Sequence, residues 1–123
     1  MKQNMLTQYI EKNRTAIYVR VSTTKLSQKD SPEHQVGVCR ERAKQENLVV
    51  QEHLIYEDRD TGTTITDRPA IQRLIKDAQN GAFDIVIFAS LSRFARDTGD
   101  ALNLKRKLVD ALGIRLISID EGY

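Results

Sequence analysis

Arg20 and Ser22 stand two apart in "AIYVRVST", residues 16–23, so an extended chain points both to one side. The run around them is apolar and β-branched, and a core strand has no use for a guanidinium and a hydroxyl aimed in one direction. Further on, Arg93 and Arg96 in "LSRFARD" lie three apart, and a helical turn would place them on one face. Arg59 and Arg68 fall in the polar stretch "YEDRDTGTTITDRP", residues 56–69. A guanidinium is charged at any working pH and grips phosphate oxygens through a planar fork; it is a poor general base and a good anion clamp. A serine among several such groups suits nucleophilic attack on a phosphodiester. The arginines would hold the charge of the transition state and favour the alkoxide over the neutral hydroxyl. They would also supply the positive charge that Mg²⁺ supplies elsewhere, so neither metal nor cofactor is expected.

Other toolkits fit poorly. "VSTTKLSQKD", which follows the first apolar run, contains no glycine and cannot cradle a phosphate as a P-loop does. No G-x-G-x-x-G follows any apolar run. His34 and His53 are isolated and have no partner at metal-ligand spacing. The first falls in a helical segment and the second within a strand, which argues against a Ser-His-Asp triad.

Four apolar, β-branched runs must position these groups: residues 15–21 (TAIYVRV), 48–56 (LVVQEHLIY), 84–90 (DIVIFAS) and 114–120 (IRLISID). The third is apolar without alternation, as a strand covered on both faces is. Between the runs lie three helix-length segments. Ser31-Pro32, a capping hydroxyl followed by proline at the first helical position, opens one that runs to residue 47. Pro69 opens the second, which closes on Gly81. The third runs from Asp97, read as its cap, to about Leu112. It puts Ala101, Leu104, Leu108, Ala111 and Leu112 on one face before Gly113. Strictly alternating strands and helices predict an α/β domain of three α/β/α layers. Its sheet is mainly parallel, has at least four strands and carries helices on both faces. Ligands bind such sheets outside the carboxyl ends of the strands, where the serine and arginine loops emerge.

With 123 residues, 40% hydrophobic and 29% charged, the chain suits one domain: an N-terminal extension over 1–14 and the domain over 15–123. No apolar stretch approaches the roughly 20 residues of a membrane span, and the N-terminus has no signal-peptide pattern. The single Cys39 suits a reducing cytosol and is read as a half-buried helix position. Net charge is only +2, but its distribution is uneven. Residues 1–30 carry six basic and two acidic side chains, and residues 91–115 carry six and three. If the fold brings these segments together, they form one anion-facing surface.

The motifs "YVRVS" (18–22), "DRDTGTTITDRPAIQRL" (58–74) and "LSRFARD" (91–97) resemble, in order and spacing, the catalytic domain of the serine recombinases, the resolvase/invertase family. The resemblance runs from about residue 15 to the C-terminus. It implies that Ser22 attacks DNA to give a 5′-phosphoserine and a free 3′-hydroxyl, without metal or nucleotide. It implies that Arg20, Arg68, Arg93 and Arg96 surround the scissile phosphate and leaving group, with Tyr18, Gln35 and Asp58 in supporting positions. Asp58 is expected to open the second loop. Many members carry Asp where Ser92 stands here, which moves the expected proton source to Arg96 or to the surroundings of the 3′-leaving group.

DNA is the implied partner, with self-association to a dimer and a synaptic tetramer and no membrane. The implied setting is the cytoplasm, with the gene on a bacterial, phage or mobile-element genome. The start "SPEHQ" (31–35) resembles the large serine recombinases more than the short resolvases. Since family members continue into a further strand, a long helix and a DNA-binding region, an excised or truncated catalytic domain is expected. Such a piece should bind DNA weakly and not recombine alone. Mutually repelling arginines predict loose loops over 23–30 and 59–67. The competing expectation is a non-catalytic, flavodoxin-like domain that binds a small anion at the same crevice.

Overall fold

A computed structural model of the 123-residue chain describes residues 13–21, 31–59, 69–90 and 98–119, with only the backbone over 98–101. Its elements alternate: β1 (Arg14–Val21), α1 (Pro32–Gln45), β2 (Val49–Arg59), α2 (Pro69–Gln79), β3 (Ile85–Phe88), α3 (Thr98–Lys105) with a π-helical turn (Arg106–Asp110), and β4 (Arg115–Ser118). The sheet runs β2-β1-β3-β4, and every pairing is parallel. The α/β expectation holds, with four parallel strands.

Strand order dictates the layers. The step from β1 to β2 moves one way across the sheet, and the later steps move the other. Right-handed crossovers therefore put α1 on one face and α2 with α3 on the opposite one. The core divides accordingly. Cys39 and Ala43 of α1 pack with Ile17, Val19, Ile85, Ile87 and Ile117. Ile71 and Leu74 of α2, with Leu104 and Leu108, pack on Tyr18, Tyr56 and Phe88. Covered twice, β3 is buried at all four residues, which explains why it reads as an unbroken apolar run.

Local signals set the helix ends. Ser31 Oγ accepts from His34 N at 3.1 Å, and Pro32 occupies the first helical position. Gly81 and Gly113 follow α2 and the π-helical turn with φ of +74° and +69°, a backbone that side chains disfavour. At the end of α1 the same left-handed turn falls to Asn47, φ 56°. The helix therefore stops at Gln45, two residues before the expected end.

Two departures have physical causes. β2 extends to Arg59, because Leu54, Tyr56 and Asp58 alternate inward while Glu57 and Arg59 face out; the two-residue period continues after the apolar letters stop. It also bulges, setting Val50 through Ile55 against only Thr15 through Ile17 of β1. In the third helix, Ala111 N bonds to Arg106 O, five residues back, at 3.0 Å. That wider turn shifts the helical phase. Leu104 and Leu108 stay buried, whereas Ala111 and Leu112, expected on the same face, are exposed.

Candidate active site at the ends of β1 and β3

The crossovers reverse direction between β1 and β3, so the crevice of this sheet opens where those two strands end. β3 stops at Phe88, opposite Tyr18, while β1 continues to Val21. Tyr18 O still receives Ala89 N, at 3.3 Å. Two residues on, Gln35 of α1 donates its side-chain Nε2 to Arg20 O at 3.0 Å. A polar side chain on the buried face of α1 is thereby explained: it ties α1 to the end of β1.

Opposite the crevice, Arg20 pairs in register with Asp58 of β2. Asp58 is only 3% exposed, and its carboxylate accepts three hydrogen bonds. Oδ2 receives Tyr18 Oη at 2.8 Å and Ile71 N at 3.0 Å, and Oδ1 receives Ala70 N at 2.8 Å. The two amides belong to the first turn of α2, whose N–H groups have no intrahelical partner. Pro69 contributes no N–H, and Arg68, the residue before it, is not a capping type. An acid eleven residues upstream of Pro69 therefore caps the helix from the neighbouring strand. Asp58 does not open a loop, as expected from sequence; it lies inside β2 and holds β1, β2 and α2 together. The signal available in the sequence was the arginine in the capping position, which left the helix start in need of an acceptor from elsewhere.

Of the expected site residues, Tyr18, Arg20, Gln35 and Asp58 are described and lie together at this end of the sheet. Ser22, Arg68, Arg93 and Arg96 lie outside the described residues, as do Ser92, Asp97 and loops 23–30 and 60–67. Arg59 belongs to the strand and not to the loop. It is 55% exposed, faces away from Asp58 and lies 3.5 Å from Glu57. His34 and His53 are exposed, and among the described residues no cluster of His, Cys, Asp or Glu could hold a metal ion.

The family model of the resolvase N-terminal domain matches residues 15–123. The N-terminal catalytic domain of TP901-1 integrase superposes with a TM-score of 0.74 at 33% identity, covering 89% of this chain and 78% of that one. A resolvase family site-specific recombinase from Streptococcus pneumoniae gives 0.72 at 25% identity, over 89% of this chain and 74% of that one. The C-terminal catalytic domain of ISC1926 TnpA, an IS607-like serine recombinase, shares the fold with a TM-score of 0.72 at 21% identity, over 86% and 70% of the two chains. No curated protein sequence matches the chain significantly.

Proposed function

The chain belongs to the resolvase family of serine recombinases, and from that premise we propose that Ser22, the residue after β1, is the nucleophile of a DNA cleavage and rejoining reaction. Family membership makes the domain a site-specific recombinase acting on DNA, and it disfavours the flavodoxin-like anion-binding alternative. The assignment of individual residues is our reading. One observation carries it: the sheet changes direction at the ends of β1 and β3, and all three motif segments adjoin that end. Ser22 follows Val21, Arg68 precedes Pro69, and Arg93 and Arg96 lie in the segment between β3 and α3.

In this reading, Ser22 Oγ loses its proton to solvent and forms a bond to the scissile phosphorus. The bond from phosphorus to O3′ breaks, and the 3′-oxygen takes up a proton. One phosphodiester replaces another, so rejoining by the reverse step needs no nucleotide. Arg20, Arg68, Arg93 and Arg96 hold the phosphoryl oxygens, whose charge grows in the transition state. Strand exchange then requires several subunits on DNA, a dimer joining into a synaptic tetramer. The setting is the cytoplasm of a cell carrying the element. Among the described residues no helix is long and apolar enough to cross a membrane.

The test is a denaturing quench of the full natural polypeptide with DNA carrying its site. A covalent protein–DNA adduct is expected, lost in Ser22→Ala and reduced about 10²- to 10³-fold in Arg20→Ala. Adduct that persists in Ser22→Ala would remove the serine from the mechanism.

A further inference from the structure

We infer that the outer face of α1 is an interface between two copies of this chain, in which Val38 of each copy packs over Gly37 of the other about a twofold axis. The inference does not depend on the role proposed for Ser22.

α1 turns Gln35, Cys39 and Ala43 into the sheet. On the opposite side of the helix, His34, Gly37, Val38 and Glu41 are all exposed. Their spacing of i, i+3, i+4 and i+7 forms the stripe by which one helix meets another. Two members of the stripe are out of place on a solvated face. Val38 is a branched apolar side chain at 36% exposure. Gly37 weakens the middle of the helix, and nothing among the described residues comes within 4 Å of where its Cβ would stand. Glycine in a helix permits another chain to approach the backbone closely. A glycine beside an exposed valine is a depression next to a knob, and two such faces laid antiparallel fill each other twice.

Charge selects a second copy as the occupant. With the axis midway between residues 37 and 38, His34 lies opposite Glu41 of the other copy. Glu33 then lies on the same flank as Lys44 of the other copy, and symmetry repeats both pairs. Among the described residues, none of these four side chains makes an ion pair or a side-chain hydrogen bond. Arg40 and Arg42 of the same helix, by contrast, are already held by Glu52 and Glu46. DNA fits the stripe poorly, because Glu33 and Glu41 would face its phosphates. Two helices touching over about two turns bury less than the roughly 1,000 Å² of a stable complex, so the expected association is weak and is sought at high concentration.

The experiment follows disulfide formation between copies of the 123-residue chain at high micromolar concentration, with one added cysteine in a Cys39→Ala background. Val38→Cys stands beside the proposed axis. Gln79→Cys, exposed on α2 across the sheet, is the control. Val38→Cys should link at least about tenfold faster than Gln79→Cys, because association makes the linking step intramolecular. Adding Gly37→Leu, which fills the depression, should bring the rate down to that of the control. His34→Glu in place of Gly37→Leu should slow linking several-fold by setting a second carboxylate against Glu41. The His34→Glu/Glu41→Lys pair restores opposite charges and should recover most of the rate.

Sedimentation equilibrium with native Cys39 keeps the test open if Cys39→Ala fails to fold. The wild-type chain should self-associate weakly, and Gly37→Leu should lower the association constant at least about tenfold. Equal linking rates at the two cysteines, undiminished association in Gly37→Leu, or no recovery in the charge swap would each overturn the inference. A wild-type chain that stays monomeric throughout would also overturn it, and would leave the stripe to a partner other than this chain.

Discussion

Cys39 and Asp58 show how differently the same fold treats two reactive groups. The Cys39 side chain is fully buried against Ile17 and Val19, and burial pushes its thiol up to about 12. The thiolate is the reactive form, so at pH 8 a free thiol with its ordinary value near 8.5 carries on the order of a thousand times more of it. Cys39 should therefore react with a disulfide reagent at least about a hundredfold more slowly in the native protein than in denaturant, as thiol-labelling kinetics would show. Fast native labelling would mean that α1 opens readily from the sheet. The sequence placed this cysteine half in solvent, because one cysteine among charged neighbours gives no measure of depth. Asp58 is also buried, yet its carboxylate accepts hydrogen bonds from two helix amides and Tyr18 Oη. What decides between inert and useful burial is the hydrogen-bond inventory around the group, and that is set by elements distant in sequence.

At the scale of elements, legibility tracked how local the determining interactions were. The first two helix starts were readable because Ser31-Pro32 and Pro69 act within one turn, and Gly81 and Gly113 marked the ends of the second and third helices for the same reason. Strand β2 ran past its apolar letters because Asp58 earns its inward position through contacts with Tyr18 and α2, which no local pattern encodes. The exposed Ala111 and Leu112 follow from a single wide turn at Arg106–Asp110. A regular 3.6-residue period cannot anticipate it. The site divided in the same way: residue type and strand end named Arg20, the family resemblance named Tyr18, Gln35 and Asp58, and the contacts of Gln35 and Asp58 needed the sheet order. One element carries a local weakness of its own. Gly37 lies in the middle of α1, exposed, with nothing within 4 Å of where a Cβ would stand. Glycine there costs backbone entropy and has no steric reason among the described residues. Gly37→Ala should raise stability by about 0.5–1 kcal/mol and the melting temperature by a few degrees, measurable by thermal unfolding. A destabilised variant would show that the helix backbone is not regular at that turn.

Across the whole molecule, ion pairs join the layers where the hydrophobic core thins at its edges. Glu46, just past α1, accepts from Arg42 of its own helix and from Arg115 of β4, the latter at 2.5 Å. Arg40 of α1 holds Glu52 of β2 with two bonds of 2.6 and 2.7 Å. Arg14 and Asp84 join the starts of β1 and β3 at 3.3 Å. The hydrogen bond from Arg42, followed by that from Arg115, holds the Glu46 carboxyl below its ordinary range, and the Arg40 hydrogen bond does the same for Glu52. A carboxyl whose folded pKa is depressed contributes stability that is complete above the unfolded value, about 4.3 for Glu. That stability is lost as pH falls through the lower folded value. The urea midpoint should therefore stay level from pH 7 to about 5 and then decline. The two glutamates should not contribute equally. The Glu46 side chain is 25% exposed and has two guanidinium partners, whereas that of Glu52 is 71% exposed and has one; solvent screens the second pair more strongly. Glu46→Gln should lower the midpoint at pH 7 and flatten the acid decline, and Glu52→Gln should change both less. Equal effects from the two variants would mean that tying α1 to β4 matters no more than a surface contact. A larger effect for Glu46 would identify the α1–β4 tie as one of the links by which this four-stranded sheet keeps its α1 layer in place. The same layer supplies Gln35 to the end of β1, so weakening the tie should also loosen the brace at the crevice.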